Sequence, residues 1–185
     1  MLNKLNLFSK KPIYWKCFVI SGMMFFNYSG QLVFAQRSAS ATASVTATIV
    51  TPIGINKTTD MNFGNIIAGS SSGIVTLDPA GIRSVTTGIT LPASSGMITA
   101  ATFQVRGQGN YTYTITLPTS AYEITRTSGS GTMEISNFTS SPSGTGMLIS
   151  GAQTLSVGAT LSVGADQPVG VYTVETGFNV TVNYN

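Results

Sequence analysis

The C-terminal segment of the chain alternates between two kinds of residue over thirteen positions, 172–184. Every even position carries an apolar or aromatic residue, or in one case a threonine: Tyr172, Val174, Thr176, Phe178, Val180, Val182 and Tyr184. Polar residues and one glycine occupy the odd positions between them. Because successive side chains of a strand point to opposite faces, this period of two predicts a strand with one buried and one solvated face.

Short alternating runs separated by turn residues recur along the chain from Ser38 onward. The clearest runs cover residues 74–77, 101–106, 111–117, 122–127, 132–138 and 155–163. No window has sustained helical periodicity, and glycine or proline interrupts nearly every stretch that is long enough for a helix. The pattern predicts an all-β fold, an immunoglobulin-like antiparallel β-sandwich of about eight to ten strands. A closed barrel is the alternative architecture.

Three local features lead to more detailed predictions. The turn Gly107-Gln108-Gly109-Asn110 between two alternating runs predicts a hairpin of residues 101–106 with 111–117. Gly158 interrupts the run at 155–163 and predicts a bulge or bend there. Alternation at residues 39–49 predicts an extended segment that ends at Pro52.

The first 35 residues have the features of a cleavable export signal. A basic region precedes an apolar stretch at residues 17–26, and small residues stand before a cleavage position after Ala35. The basic residues are Lys4, Lys10, Lys11 and Lys16. We predict cleavage after Ala35, no stable membrane span afterwards, and an exported product in the periplasm, on the outer surface or outside the cell. The alternative is an uncleaved anchor at residues 17–35, which polar residues between 27 and 31 make less favourable.

Removal of the signal peptide changes the charge balance of the chain. Four of the nine basic residues lie in it, so the mature chain has five basic and six acidic residues and a net charge of −1. Such a surface has no row of cations to neutralise phosphates, so nucleic acid is not an expected partner. Cys17, the single cysteine, also lies in the signal peptide, and the mature chain therefore forms no disulfide.

The mature chain offers few groups for catalysis. Residues 69–73 spell the G-x-S-x-G motif of serine hydrolases, but the chain has no histidine to act as the base, so a flexible loop is expected. Glu123 and Glu134 would serve as the acid and base of a glycosidase only if the fold paired them, and solvated strand faces are their expected places. We predict a non-enzymatic protein with no catalytic residue, no cofactor and no metal site.

Three tyrosines are the aromatic residues best suited to contact a sugar: Tyr111, Tyr113 and Tyr122. A tyrosine ring combines an apolar face with a hydroxyl group, as sugar recognition requires. Alternation with threonines instead favours a place in or over the core, and the one tryptophan, Trp15, is lost with the signal peptide. A secreted carbohydrate-binding module with a glycan partner is therefore the alternative function.

The C-terminal third contains a fairly specific motif. It runs Leu155-Ser-Val-Gly-Ala-Thr-Leu-Ser-Val-Gly-Ala-Asp-Gln-Pro-Val-Gly-Val-Tyr, followed by Phe178-Asn-Val-Thr-Val-Asn-Tyr-Asn. Earlier in the chain stand Met61-Asn-Phe-Gly-Asn-Ile, the turn segment 73–81, Gly107 and the run 111–118. Together these motifs resemble a secreted Gram-negative family that is described as a domain of unknown function, and the resemblance covers most of residues 49–185.

That family is similar in turn to fimbrial subunits of the chaperone-usher kind. The last strand of those subunits has an aromatic residue at its penultimate position, and Tyr184 is the penultimate residue here. The resemblance implies an adhesin-like sandwich that assembles by strand donation, in which an extended segment of one copy completes a sheet of its neighbour. This chain departs from those subunits in having no disulfide. Its candidate donor at residues 39–49 is also rich in alanine.

The small side chains of that segment bear on its role. It contains four alanines with Val45 and Ile49, and a methyl group contributes about 0.8 kcal/mol on burial against about 1.5–3 kcal/mol for valine or isoleucine. On this ground we predict that it forms the first strand of its own domain rather than a donor strand.

The predicted organisation is a signal peptide at 1–35, an N-terminal extension or first strand at 36–48, and a β-sandwich at 49–185. The predicted function is that of a non-enzymatic structural or adhesive protein of the cell envelope, in the manner of a fimbrial subunit. Its expected partners are other copies of itself or other envelope proteins, bound through strand edges.

Overall fold

The computed structural model describes residues 38–174 and 176–185, so the predicted signal peptide lies outside the described residues. The chain divides into two units, Met1–Thr46 and Ala47–Asn185. In the first unit, the described residues 38–46 form no regular secondary structure. In the second unit lie all the described strands. No helix in the described part of the chain is long and apolar enough to span a membrane.

The described residues form thirteen strands, and every pairing between them is antiparallel. The strands are β1 (Gly54–Thr59), β2 (Ile67–Ala68), β3 (Gly73–Leu77), β4 (Arg83–Val85), β5 (Ile89–Thr90), β6 (Ala101–Arg106), β7 (Thr112–Thr116), β8 (Tyr122–Arg126), β9 (Thr132–Ser141), β10 (Thr145–Met147), β11 (Ala152–Val163), β12 (Tyr172–Thr173) and β13 (Thr181–Tyr184). Three of them have only two residues, which leaves ten longer strands. The prediction of an all-β antiparallel fold is confirmed.

The large sheet is built around the twelve residues of β11. The first half of β11 pairs with β6 and the second half with β3, so two strands share one edge of it. The other edge pairs with β9, and the register shifts between Gly158 and Thr160, as expected for a bulge. Beyond these neighbours lie β1 next to β6, β4 next to β3, and β8 followed by β12 next to β9.

Two smaller sheets complete the domain. One has the order β10-β7-β13, and the other consists of β2 and β5. Residues that alternate along the strands of the large and small sheets meet in two cores. The first core contains Ala101, Phe103, Val105, Tyr113, Ile115, Leu148, Leu155, Val157 and Val182. The second contains Phe63, Val75, Leu77, Ile89, Ile124, Ala159, Leu161 and Val163. This layered packing around apolar cores is sandwich-like.

The predicted hairpin of residues 101–106 with 111–117 is wrong. Both strands form, as β6 and β7, but β6 pairs with β1 and β11 whereas β7 pairs with β10 and β13. The turn between them therefore crosses from one sheet to another. Strands β6 and β7 lie in different sheets, and each buries one face in the first core. A hairpin and the observed two-sheet arrangement give the same alternation of side chains, so the alternation could not distinguish them.

The C-terminal alternating segment is divided between two sheets. Tyr172 and Thr173 form β12 at the edge of the large sheet, and residues 181–184 form β13 at the edge of a small one. Gly177, between them, has a φ of 65°, a conformation that ends regular strand geometry. Side chains at even positions still tend to be the more buried ones, so the predicted faces hold although the predicted single strand does not.

The predicted first strand at residues 39–49 does not form within the described chain. The first strand is β1, which begins at Gly54. Residues 38–53 have no strand pairing, although their sequence alternates.

Candidate functional site

The most unusual surface of the molecule is the stretch at residues 38–50, on the N-terminal side of β1, which we call the arm. It has the alternation of a half-buried strand but contains no strand. Its two bulkiest outward side chains, Val45 and Ile49, are 94% and 99% exposed. The arm thus combines the alternation of a strand with apolar side chains that are free to contact another surface, as an added strand requires.

A free sheet edge lies on the C-terminal strand. Among the described residues, β13 pairs with β7 on one side and with no strand on the other. The amide of Asn185 donates to the carbonyl of Thr112 at 3.2 Å, so odd-numbered residues direct their main-chain groups toward β7. In an antiparallel strand, the N–H and C=O groups of successive residues point alternately to one side and to the other. The main-chain groups of Val182 and Tyr184 therefore point to the free edge.

Strand β13 also contacts β1, the outermost strand at one end of the large sheet. Half-buried apolar residues from both strands and their flanks pack against the first core: Ile53, Ile55, Val180 and Tyr184. The two sheets thus approach each other here through two edge strands. This arrangement provides main-chain donors and acceptors next to apolar side chains.

The hydroxyl of Tyr184 connects three parts of the chain. It donates to the carbonyl oxygen of Thr51 at 2.7 Å and accepts from the amide of Gln108 at 2.6 Å. The amide of Thr51 in turn donates to Oε1 of Gln108 at 3.2 Å. The sequence motif contains the penultimate aromatic residue, but nothing in it points to the partners of this residue, which lie 76 and 133 positions away.

Glu123 and Glu134 stand directly opposite each other on β8 and β9. Both are exposed, as predicted, and they line a shallow open depression of about 370 Å³ together with Ser72 and Ser162. Two like charges on directly opposite residues are unfavourable in a sheet. No group of three or more His, Cys, Asp or Glu side chains within the described residues is placed to hold a metal ion.

The G-x-S-x-G sequence lies in the loop between β2 and β3. A strand follows it, whereas the hydrolase motif requires a helix. Main-chain bonds hold its first glycine, since the amide of Gly69 donates to Gly88 at 2.8 Å and its carbonyl accepts from Asp166 at 2.9 Å. Residues 69–72 form a loop, as predicted, and Gly73 begins β3, while the predicted flexibility of the loop stays a prediction.

The three tyrosines considered for sugar binding have different surroundings. Tyr113 is completely buried, and its hydroxyl donates to Oε1 of Gln153 at 2.8 Å. Tyr122 is half-buried against Phe138, with ring centroids 5.9 Å apart. Tyr111 is 42% exposed and packs edge-on against Tyr184. The fold does not present them as one platform.

A family model described as a domain of unknown function (DUF4402) matches residues 53–184. The chain belongs to the DUF4402 family. This membership confirms the predicted resemblance to a family of unknown function, while the fimbrial resemblance stays a prediction. No curated protein and no solved structure matches the chain significantly.

In this DUF4402 domain the motif around Phe63-Gly64-Asn65 forms an anchored turn. Gly64 has a φ of 69°, and its amide donates to Oδ1 of Asn62 at 2.8 Å. The guanidinium of Arg83 donates to the carbonyl oxygens of Phe63 and Asn65. These bonds place Phe63 in the second core, so the motif has a structural role.

Proposed function

We propose that this DUF4402 protein is a non-enzymatic structural subunit of the bacterial cell envelope that assembles by pairing the arm of one copy with a strand edge of the next. The observation that carries the proposal is the arm itself. It alternates as a half-buried strand does, yet it forms no strand in the described residues and exposes Val45 and Ile49 almost completely. A second copy supplies the partner that the arm needs.

The free edge of β13 is the acceptor that fits best. The main-chain groups of Val182 and Tyr184, which pair with no strand among the described residues, would bond to an added antiparallel strand, and the adjoining core would receive every second side chain of that strand. The alanines of the arm suit an edge that is already partly filled by Ile53, Ile55 and Val180. Val45 and Ile49 would each contribute about 1.5–3 kcal/mol on full burial.

Two substitutions in the arm test the proposal. In the monomer, Val45→Asp and Ile49→Asp alter side chains that are exposed, so the stability of the domain should change by less than about 0.5 kcal/mol. In the assembly, a carboxylate at either position would have to be buried, so self-association should weaken at least tenfold per substitution. Sedimentation velocity over a concentration series measures the association.

Val169→Asp is the matched control, because Val169 is 90% exposed and lies outside the arm. It adds the same charge at equal exposure and should leave association unchanged. Equal association of the arm variants, the control and the wild type would refute the proposal.

A secreted carbohydrate-binding module is the second candidate, and it depends on the exposed ring of Tyr111. It predicts saturable binding of a neutral oligosaccharide that Tyr111→Ala abolishes and Tyr122→Ala leaves intact. Isothermal titration with a panel of such oligosaccharides separates it from the assembly proposal, which predicts no saturable binding.

A further inference from the structure

We infer that the hydroxyl of Tyr184 is a clamp that fixes the root of the arm at Thr51, so that less of the chain has to be ordered when the arm pairs with the next copy. The inference rests on the proposed function and assigns a positioning role that the assembly proposal alone does not require. The arm is joined to β1 through residues 51–53, and Thr51 is the point at which the hydroxyl of Tyr184 holds it.

The clamp is a closed set of three hydrogen bonds. One phenol oxygen bonds both the carbonyl of Thr51 and the amide of Gln108, and the side chain of Gln108 bonds the amide of Thr51. Both main-chain polar groups of Thr51 are therefore engaged, although the residue is exposed and lies outside any strand. These hydrogen bonds fix the position of Thr51 in addition to its covalent connection to β1.

The loop after β6 is shaped to admit the hydroxyl. A Cβ atom at Gly107 would overlap with the Tyr184 hydroxyl and would also press on Leu148. Glycine at this position thus allows the C-terminal strand, the loop and the arm root to meet at one atom. The sequence feature that points to this contact is Gly107, which immediately precedes Gln108.

The clamp belongs to the same strand that we propose as the acceptor. The side chain of Tyr184 holds the root of its own arm, while its main chain lies at the free edge of β13. Each copy would then present an arm with a fixed root and, on the strand that holds this root, an open edge. Such an interface is head-to-tail, which produces open chains unless its rotation closes a ring.

Tyr184→Phe in the full chain, expressed with its leader and purified after export, tests the clamp. Phenylalanine keeps the ring that packs on Tyr111 and removes only the hydroxyl. We expect hydrogen exchange at the amides of Thr51 and Gln108 to accelerate at least tenfold. Self-association should weaken by about tenfold, roughly the cost of ordering one more backbone residue in the assembly.

Two further variants make the test specific. Gln108→Ala removes the acceptor for the Thr51 amide without touching Tyr184, and it should shift exchange and association in the same direction. Tyr122→Phe is the control, because Tyr122 is also half-buried and its hydroxyl has no hydrogen-bond partner among the described residues. It should change neither measurement.

The outcomes separate the clamp from the assembly. A wild-type protein that remains monomeric refutes the proposed function and the role of the clamp with it. A wild type that associates together with an equally associating Tyr184→Phe variant refutes the clamp alone. Accelerated exchange with weakened association in both Tyr184→Phe and Gln108→Ala supports it.

Discussion

At the scale of single residues, Tyr113 shows how the first core accommodates a polar atom. Its side chain is completely buried, and its hydroxyl donates to Oε1 of Gln153. The same oxygen accepts from the amide of Met147 at 2.9 Å. Because burial disfavours the charged form, the pKa of the Tyr113 hydroxyl is raised above its ordinary value of 10.0.

This raised pKa predicts a loss of stability in strong alkali. The folded protein holds the phenolic proton of Tyr113 more tightly than the unfolded chain does. The contribution of this group to the free energy of unfolding is therefore complete below pH 10 and is lost as the pH rises through the folded pKa. Urea unfolding at about pH 8 and about pH 10.5 should show a larger fall in the free energy of unfolding for the wild type than for Tyr113→Phe. Equal falls for the wild type and Tyr113→Phe would contradict this prediction.

At the scale of elements, β11 organises the large sheet because three strands pair along it. Gly158 marks the point where its neighbour on one edge changes from β6 to β3. A Cβ atom there would overlap with the carbonyl oxygen of Leu77 and with the backbone of the turn that follows. The close approach of β3 therefore requires glycine at this position.

Gly158→Ala should destabilise the domain by about 1–3 kcal/mol, because the backbone of β3 must move away from the added methyl group. Gly54→Ala is the control, since a Cβ atom at Gly54 in β1 meets nothing within 4 Å. It should change the free energy of unfolding by less than about 0.5 kcal/mol. Urea unfolding of both variants measures the difference, and equal stabilities would show that the crowding at Gly158 has no energetic effect.

The elements also show what the sequence predicts and what it does not. Alternation correctly predicted strands at 74–77 and at 122–127, where β8 ends at Arg126, because side-chain period is a local property. The glycine that interrupts the run at 155–163 likewise marked the bulge. It did not identify pairing partners, so residues 101–106 and 111–117 were joined in a hairpin that does not exist. The contacts of Tyr184 span 76 and 133 positions, a separation over which no local pattern acts.

At the scale of the whole molecule, the account requires that the arm becomes the N-terminal part of an exported protein. Cleavage after Ala35 would leave Gln36 as the first residue, two positions before the arm. Mass spectrometry of the exported product of the full chain should give the mass of residues 36–185. A product that retains Met1 would support the uncleaved anchor instead.

The most direct test of the assembly proposal compares the exported wild type with a variant that lacks residues 38–49, which include Val45 and Ile49, using sedimentation velocity and far-ultraviolet circular dichroism. The account predicts that the wild type forms multimers whose size grows with concentration. It predicts that the deletion variant is a folded monomer with the same β-sheet spectrum. A monomeric wild type, or a deletion variant that assembles as the wild type does, would contradict it.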